Sequence, residues 1–199
     1  LWTCGVAALA LADFGTAGQH ALLAGIADGS QVVTIALAEF GANDVMRPGV
    51  RGERKGSDIR IVGTKPAVPF GQHADVVLVP LANGDSPAIA IVPMSTPGIV
   101  VTEVVTTNHE PQAHLDFDVT LPVSALLGHE SDGSSVHDGR EMLRSLFEHA
   151  VVALAALQVG VAEGSLALTA THLSTRRQFG KPLAAFQATT QRAADGYIT

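Results

Sequence analysis

One cysteine, one tryptophan and one tyrosine stand among 199 residues, and each scarcity excludes something. A lone Cys4 permits no internal disulfide, which suits a reducing compartment and makes the cytoplasm the expected location. With Trp2 and Tyr197 beside seven Phe, a core must be built mainly from Ala, Val and Leu, and Cys4 itself is expected inside it. Charge is also sparse. Asp, Glu, Lys and Arg make up 16% of the chain, with a net charge of −7. An acidic chain with scattered cations lacks the basic face that phosphate backbones require, so nucleic acid is not an expected partner. The apolar opening 1–13 has no basic residue and does not read as a signal peptide. No uninterrupted apolar run approaches the ~20 residues of a membrane span. Both ends fall inside apolar, helix-like runs, as in a portion of something longer.

What the chain does have is apolar bulk. Hydrophobic residues make up 47%, enough for a sizeable core and too many for a disordered chain. Residues 1–30 read as helical. Gly15-Thr16 breaks the run, Thr16 caps a second helix bearing Leu22, Leu23 and Ile26, and Asp28-Gly29-Ser30 ends it. Over 31–125 the period falls to two. "VVTIAL", "SDIRIV", "ADVVLVPL", "AIAIVPM", "GIVVTEVV" and "HLDFDVTL" are short β-branched runs between turn residues, the pattern of an antiparallel sandwich or barrel. In the last, Leu115, Phe117, Val119 and Leu121 alternate with Asp116, Asp118 and Thr120. A polar linker covers 126–139. From 140 to 199 helical spacing returns, with Leu143, Leu146, Phe147, Ala150, Val151, Leu154, Leu157 and Val161 three or four residues apart. Gly160 and Gly164, one turn apart, suggest close helix packing. The long helix is expected to run unbroken to about Thr175, with Gly180 as its stop signal and Pro182 opening a last helix over 183–199. The expected class is therefore α+β: a helical segment, a complete central β domain, and the start of a helical bundle.

These residues resemble the acyl-CoA dehydrogenase family. Arg176-x-x-Phe179-Gly180 followed by Phe186-Gln187 resembles its R-x-x-F-G…Q segment. "GTAGQHALLAGIADGS" is similar to its helix and turn before the β domain, "ALAEFGANDV" to its flavin loop T-E-P-G-x-G-S-D, and "IVGTKPAVPFGQHADVVLV" to its N-G-x-K-x-W-I-[ST]-N-G strand pair. "STPGIVV", "HLDFDVTLPVSALLG" and the helix around Gly160 follow in order. The resemblance implies an FAD-dependent α,β-dehydrogenation of an acyl-CoA thioester, an oligomer that is usually a tetramer, and an electron-transfer flavoprotein as acceptor. It also implies that Arg176 forks onto the pyrophosphate of a neighbouring subunit's FAD, a task that suits a guanidinium. Phe179 would then pack by the adenosine, and Gln178 and Gln187 would donate to phosphate, ribose or adenine.

The departures from the family pattern are as informative. Ala38 stands where the family has Thr, Asn43-Asp44 where it has Ser-Asp, and Ala67-Val68-Pro69 where it has Trp-Ile-Ser/Thr. Alanine and proline can neither cover a flavin ring nor hydrogen-bond its edge. A chain with the reaching arginine but without its own ring contacts resembles one subunit of the heteromeric, steroid-degradation type of the family. There, two unlike subunits share FAD sites. The family carries its catalytic Glu either late in the bundle, beyond Thr199, or at a position that matches Ala150, which cannot act as a base. Asp195, in "RAADGYIT", matches an alternative carboxylate on the next helix and is the candidate base. Three readings stay open: a dehydrogenase subunit using Asp195, a non-catalytic partner that completes a neighbour's FAD site, and a relative with altered chemistry such as an acyl-CoA oxidase. The histidines have no close metal-ligand spacing, residues 41–44 do not form a Walker-type phosphate loop, and Ser134-Ser135 lack a triad context.

Overall fold

The computed structural model describes residues 1–41, 44–135 and 137–198. The chain divides into two compact units, Leu1–Val151 and Val152–Thr199.

The first unit is a curled mixed sheet with helices on one face. A wide helical turn, Trp2–Ala7, runs into α1 (Ala8–Phe14), and α2 (Ala21–Asp28) follows. Thr16 caps the turn before α2 and not the helix itself, whose N-cap is His20: the Gln19 N–H donates to Thr16 Oγ1, and the Thr16 N–H donates back to Gln19 Oε1. The Gln19 amide also donates to the carbonyls of Ser124 and Leu126, so this capping residue stitches the helices to the far end of the sheet. Gly29 ends α2 at φ +77°, a left-handed position that suits glycine. Cys4 departs from expectation. It is exposed, because Val6, Ala7, Ala10 and Leu11 form the buried stripe of this helical segment.

The strands are β1 (Val33–Ile35), β2 (Arg51–Lys55), β3 (Asp58–Pro69), β4 (Val76–Asn83), β5 (Ser86–Pro93), β6 (Ile99–Val104) and β7 (Gln112–Pro122). Their order is β1-β4-β2-β3-β7-β6, with β5 beside β4. Most pairs are antiparallel; β1 and β2 run parallel to β4. Alternation decides the core. On β4, Val77, Val79 and Leu81 join Ile59, Ile61, Leu115, Phe117 and Val119 inside the curl. Val76 and Leu78 point the other way, onto Val6, Leu11, Ile26 and Leu146 of the helical layer. Both faces of β4 are thus covered, which is why "VVLVPL" is buried throughout. The linker, 126–139, leads to α3 (Gly139–Thr175), whose Met142, Leu143, Leu146 and Ala150 are buried in this same unit. The segments 1–30, 31–125 and the first turns of the helix from 140 therefore share one compact body.

The second unit holds the rest of α3, a two-residue-per-arm hairpin, and α4 (Gln187–Ile198). Within α3 an 18-residue window reaches a mean hydropathy of 1.8, long and apolar enough to cross a membrane by length and composition, although no unbroken apolar run had indicated it. Gly and Ala interrupt the apolar runs while keeping the average high. A Cβ built on Gly160 or Gly164 would meet nothing within 4 Å, so the close packing expected of this glycine pair has no counterpart among the described residues.

Candidate functional site

The long helix stops at Thr175, where the sequence places its end, and beyond it β8 (Arg177–Gln178) pairs with β9 (Lys181–Pro182) around a tip of Phe179 and Gly180. Both tip residues are left-handed, at φ +53° and +81°, as in the two-residue turns that match strand twist. Gly180 therefore serves a hairpin rather than a helix end. Glycine adopts this conformation without penalty; a phenylalanine there costs about 1–2 kcal/mol. Phe179 is also 91% exposed. A large ring held in a costly conformation and left in solvent is the kind of outlier that points to use.

The surroundings hold that ring in place. Phe179 meets Phe186 edge-on, with centroids 6.3 Å apart and planes at 77°. The Lys181 ammonium sits 4.5 Å from the centroid of Phe186. Arg177, exposed on β8, donates from Nη2 to the Gly180 carbonyl at 3.2 Å and closes the tip. Arg176 lies between α3 and β8. Its N–H donates to the His172 carbonyl and its own carbonyl accepts from Leu183, so the backbone is fixed at both ends of the residue. No ion pair to Arg176 forms among the described residues, and its side chain is exposed. Gln178 is exposed on β8, and Gln187 is exposed as the first residue of α4. The Phe186 carbonyl accepts the N–H groups of Thr189 and Thr190 and so starts α4. Asp195 lies exposed in the third turn of α4, with Tyr197 exposed two residues on. Between α3 and α4, a cleft of about 440 Å³ is lined by Leu166, Thr169, Leu173, Thr189, Arg192 and Gly196.

In the first unit, the two segments that resemble flavin-ring contacts are tied to each other. Lys65, on β3, is fully buried, and its ammonium pairs with the Glu39 carboxylate, itself 6% exposed. Burial pushes the Lys65 ammonium below its ordinary value, and the hydrogen bond and charge of Glu39 oppose that shift. The next residue, Phe40, packs against His114, with centroids 5.4 Å apart. Pairing of β3 with β7 slips between Lys65 and Val68, and Ala67 in that bulge stands at φ +48°. Its N–H donates to His114 Nδ1 at 3.0 Å. Val68 is buried in the sheet core, and the Pro69 carbonyl accepts the Thr34 hydroxyl at 2.6 Å. Nothing at Ala38 or Ala67-Val68-Pro69 supplies a ring cover or a hydroxyl. The Asn43 departure and part of the 41–44 loop lie outside the described residues.

The sequence reading missed Lys65–Glu39, the roles of Arg177 and Lys181, and the imidazole at His114. These contacts join residues 26 or 47 positions apart, or depend on a turn with no periodic signature. Among the described residues no group of three or more His, Cys, Asp or Glu is placed to hold a metal ion.

Comparison with known proteins finds similarity in sequence and in fold. Residues 137–199 match the family model described as "Acyl-CoA dehydrogenase, C-terminal domain". Over 97% of its length the chain is 33% identical to acyl-CoA dehydrogenase FadE27 of Mycobacterium tuberculosis, covering 48% of that protein. A variant of the steroid ACAD Tcur3481-Tcur3483 superposes with a TM-score of 0.87 at 38% identity, over 99% of this chain and 51% of that one. The ChsE4-ChsE5 complex from Mycobacterium tuberculosis gives 0.87 at 31% identity, over 99% and 51%. The chain thus spans about half the length of the relatives it matches.

Proposed function

We propose, for a chain that belongs to the acyl-CoA dehydrogenase family, that it is one subunit of an oligomer sharing FAD sites and oxidising an acyl-CoA thioester between Cα and Cβ. The observation that carries this reading is the hairpin. It presents Arg176 with no carboxylate partner among the described residues and Phe179 in a costly, exposed conformation. The residues fit the nucleotide half of FAD and not its ring. Arg176 would fork onto the pyrophosphate, Phe179 would pack by the adenosine, and Gln178 and Gln187 would donate to phosphate, ribose or adenine. At the bulge, the Ala67 N–H is already spent on His114, and Pro69 has no N–H to give.

FAD, where bound, supplies the two-electron acceptor of the reaction. The protein's share is to orient the thioester, exclude water and take the Cα proton. Asp195 is the residue proposed for that last task. It is one methylene shorter than Glu, so the backbone must approach the substrate more closely. The partner is proposed to be a homologous subunit that holds the ring, with an electron-transfer flavoprotein as acceptor. A bulky steroid-type acyl group, a cytoplasmic site of action and no membrane insertion belong to the same reading. The test is an Arg176→Gln variant in the assembled oligomer. Flavin content should fall sharply while the oligomer stays intact; undiminished flavin would refute the role.

A second reading is favoured by the missing ring contacts: a non-catalytic partner that completes a neighbour's FAD site. Asp195→Asn separates the two. Turnover lost with flavin retained identifies a base, and unchanged turnover leaves only the structural role.

A further inference from the structure

Lys181 has no role in the function just proposed, and its position is specific. It lies on β9, opposite Gln178 in the hairpin. Among the described residues its ammonium pairs with no carboxylate; it is seated over the ring of Phe186. Phe186 contacts both parts of the second unit: its ring meets Phe179 at the hairpin tip, and its carbonyl accepts the first N–H groups of α4. One cation thus fixes the ring that joins both parts of the candidate site, the hairpin with Arg176 and Phe179 and the start of α4 with Gln187. A cation held over a benzene face resists rotation and withdrawal of that ring, because either motion separates the charge from the negative face of the quadrupole. An edge-on neighbour such as Phe179 then gains a fixed surface to lean on.

We infer that Lys181 is a positioning residue: through its stack on Phe186 it holds Phe179 at the hairpin tip and keeps the hairpin in register with Gln187 for the nucleotide half of FAD. The inference rests on the proposed function of the hairpin. Lys181 acts here through a ring and not by touching phosphate, and this distinction is measurable.

The experiment is FAD titration onto the apo-oligomer, followed by flavin fluorescence, for Lys181→Gln, Lys181→Arg, Phe186→Leu and the double variant Lys181→Gln/Phe186→Leu. Loss of an exposed cation–π contact should weaken binding about two- to fivefold. Arginine, which also stacks, should restore it. The double variant should bind no worse than Phe186→Leu alone, because removing the ring removes the route by which Lys181 acts. Additive losses would overturn the inference, since they would mean that Lys181 contacts the ligand independently. Full affinity in Lys181→Gln beside weakened binding in Arg176→Gln would overturn it while leaving the hairpin's function standing. Full affinity in Arg176→Gln would overturn both. A readout on the chain without ligand is the Lys181 ε-methylene proton resonance. The Phe186 ring current should shift it upfield, and Phe186→Leu should return it to an ordinary position; an ordinary position in the parent chain contradicts the stack.

Discussion

The two units of this chain treat their apolar side chains in opposite ways. Leu1–Val151 closes two cores, with Leu78, Leu81, Ile61 and Leu115 fully buried on either side of a curled sheet. Val152–Thr199 leaves Val152, Leu168 and Ile198 in solvent, together with Phe179 and Tyr197. Measured by burial, the first unit explains its own stability and the second does not. What the second carries instead is a strained hairpin bearing exposed cations and an apolar cleft. Stability and candidate function are thus written in different parts of the chain, and variants should report that separation.

The largest effect is expected where a charge is buried. Lys65→Met strands the Glu39 carboxylate in the core of the first unit and should cost about 3–5 kcal/mol, read by urea denaturation. The double variant Lys65→Met/Glu39→Leu should recover most of that loss, because the penalty comes from the orphaned charge. Next, Leu115→Ala in the sheet core should cost about 2–5 kcal/mol, whereas Leu168→Ala, on the exposed face of α3, should change the stability of the chain alone by less than about 0.5 kcal/mol. Equal costs would break the contrast between the units. Third, Phe179→Gly should relieve the left-handed strain and leave the chain as stable as before or more so, by up to about 1–2 kcal/mol, while weakening FAD retention in the oligomer. A variant that loses stability and flavin together would argue that Phe179 is structural. The smallest effect belongs to the exposed Arg60–Asp118 pair, a fork of 2.9 and 3.0 Å across the outer face of the sheet. The hydrogen bond from Arg60 holds the Asp118 carboxyl below its ordinary 3.8, so its contribution is present above that pH and is lost as pH falls through the lower folded value. Asp118→Asn should therefore remove that small contribution at neutrality and flatten the acid limb of the stability curve below pH 3.8, where the parent loses the same contribution by protonation.

These regions also differed in how far they could be read from sequence. Strand β7 was legible because Leu115, Phe117 and Val119 alternate with charges, and burial follows that alternation residue by residue. The end of α2 was legible from Gly29. Strand β2, "RGERK", was not: it is mostly exposed, so its pairing with β3 leaves no apolar period to see. The hairpin was hidden for a related reason. Two residues per arm cannot show a period, and Phe179-Gly180 reads equally as a helix stop. Motif spacing therefore singled out Arg176 and Phe179 without showing that a hairpin carries the tip. The Glu39–Lys65 pair and the Ala67–His114 bond are contacts of the folded sheet, and no local pattern announces them.

The measurement that bears most directly on the shared-cofactor reading is bound FAD per chain, determined by absorbance after denaturation, for the chain alone and for the chain assembled with a homologous subunit that keeps the ring contacts. With its nucleotide contacts on the hairpin and no ring cover at Ala67-Val68-Pro69, the isolated chain should retain almost no flavin, and the assembly should hold about one FAD for each pair of subunits. Stoichiometric FAD in the isolated chain would contradict the reading outright.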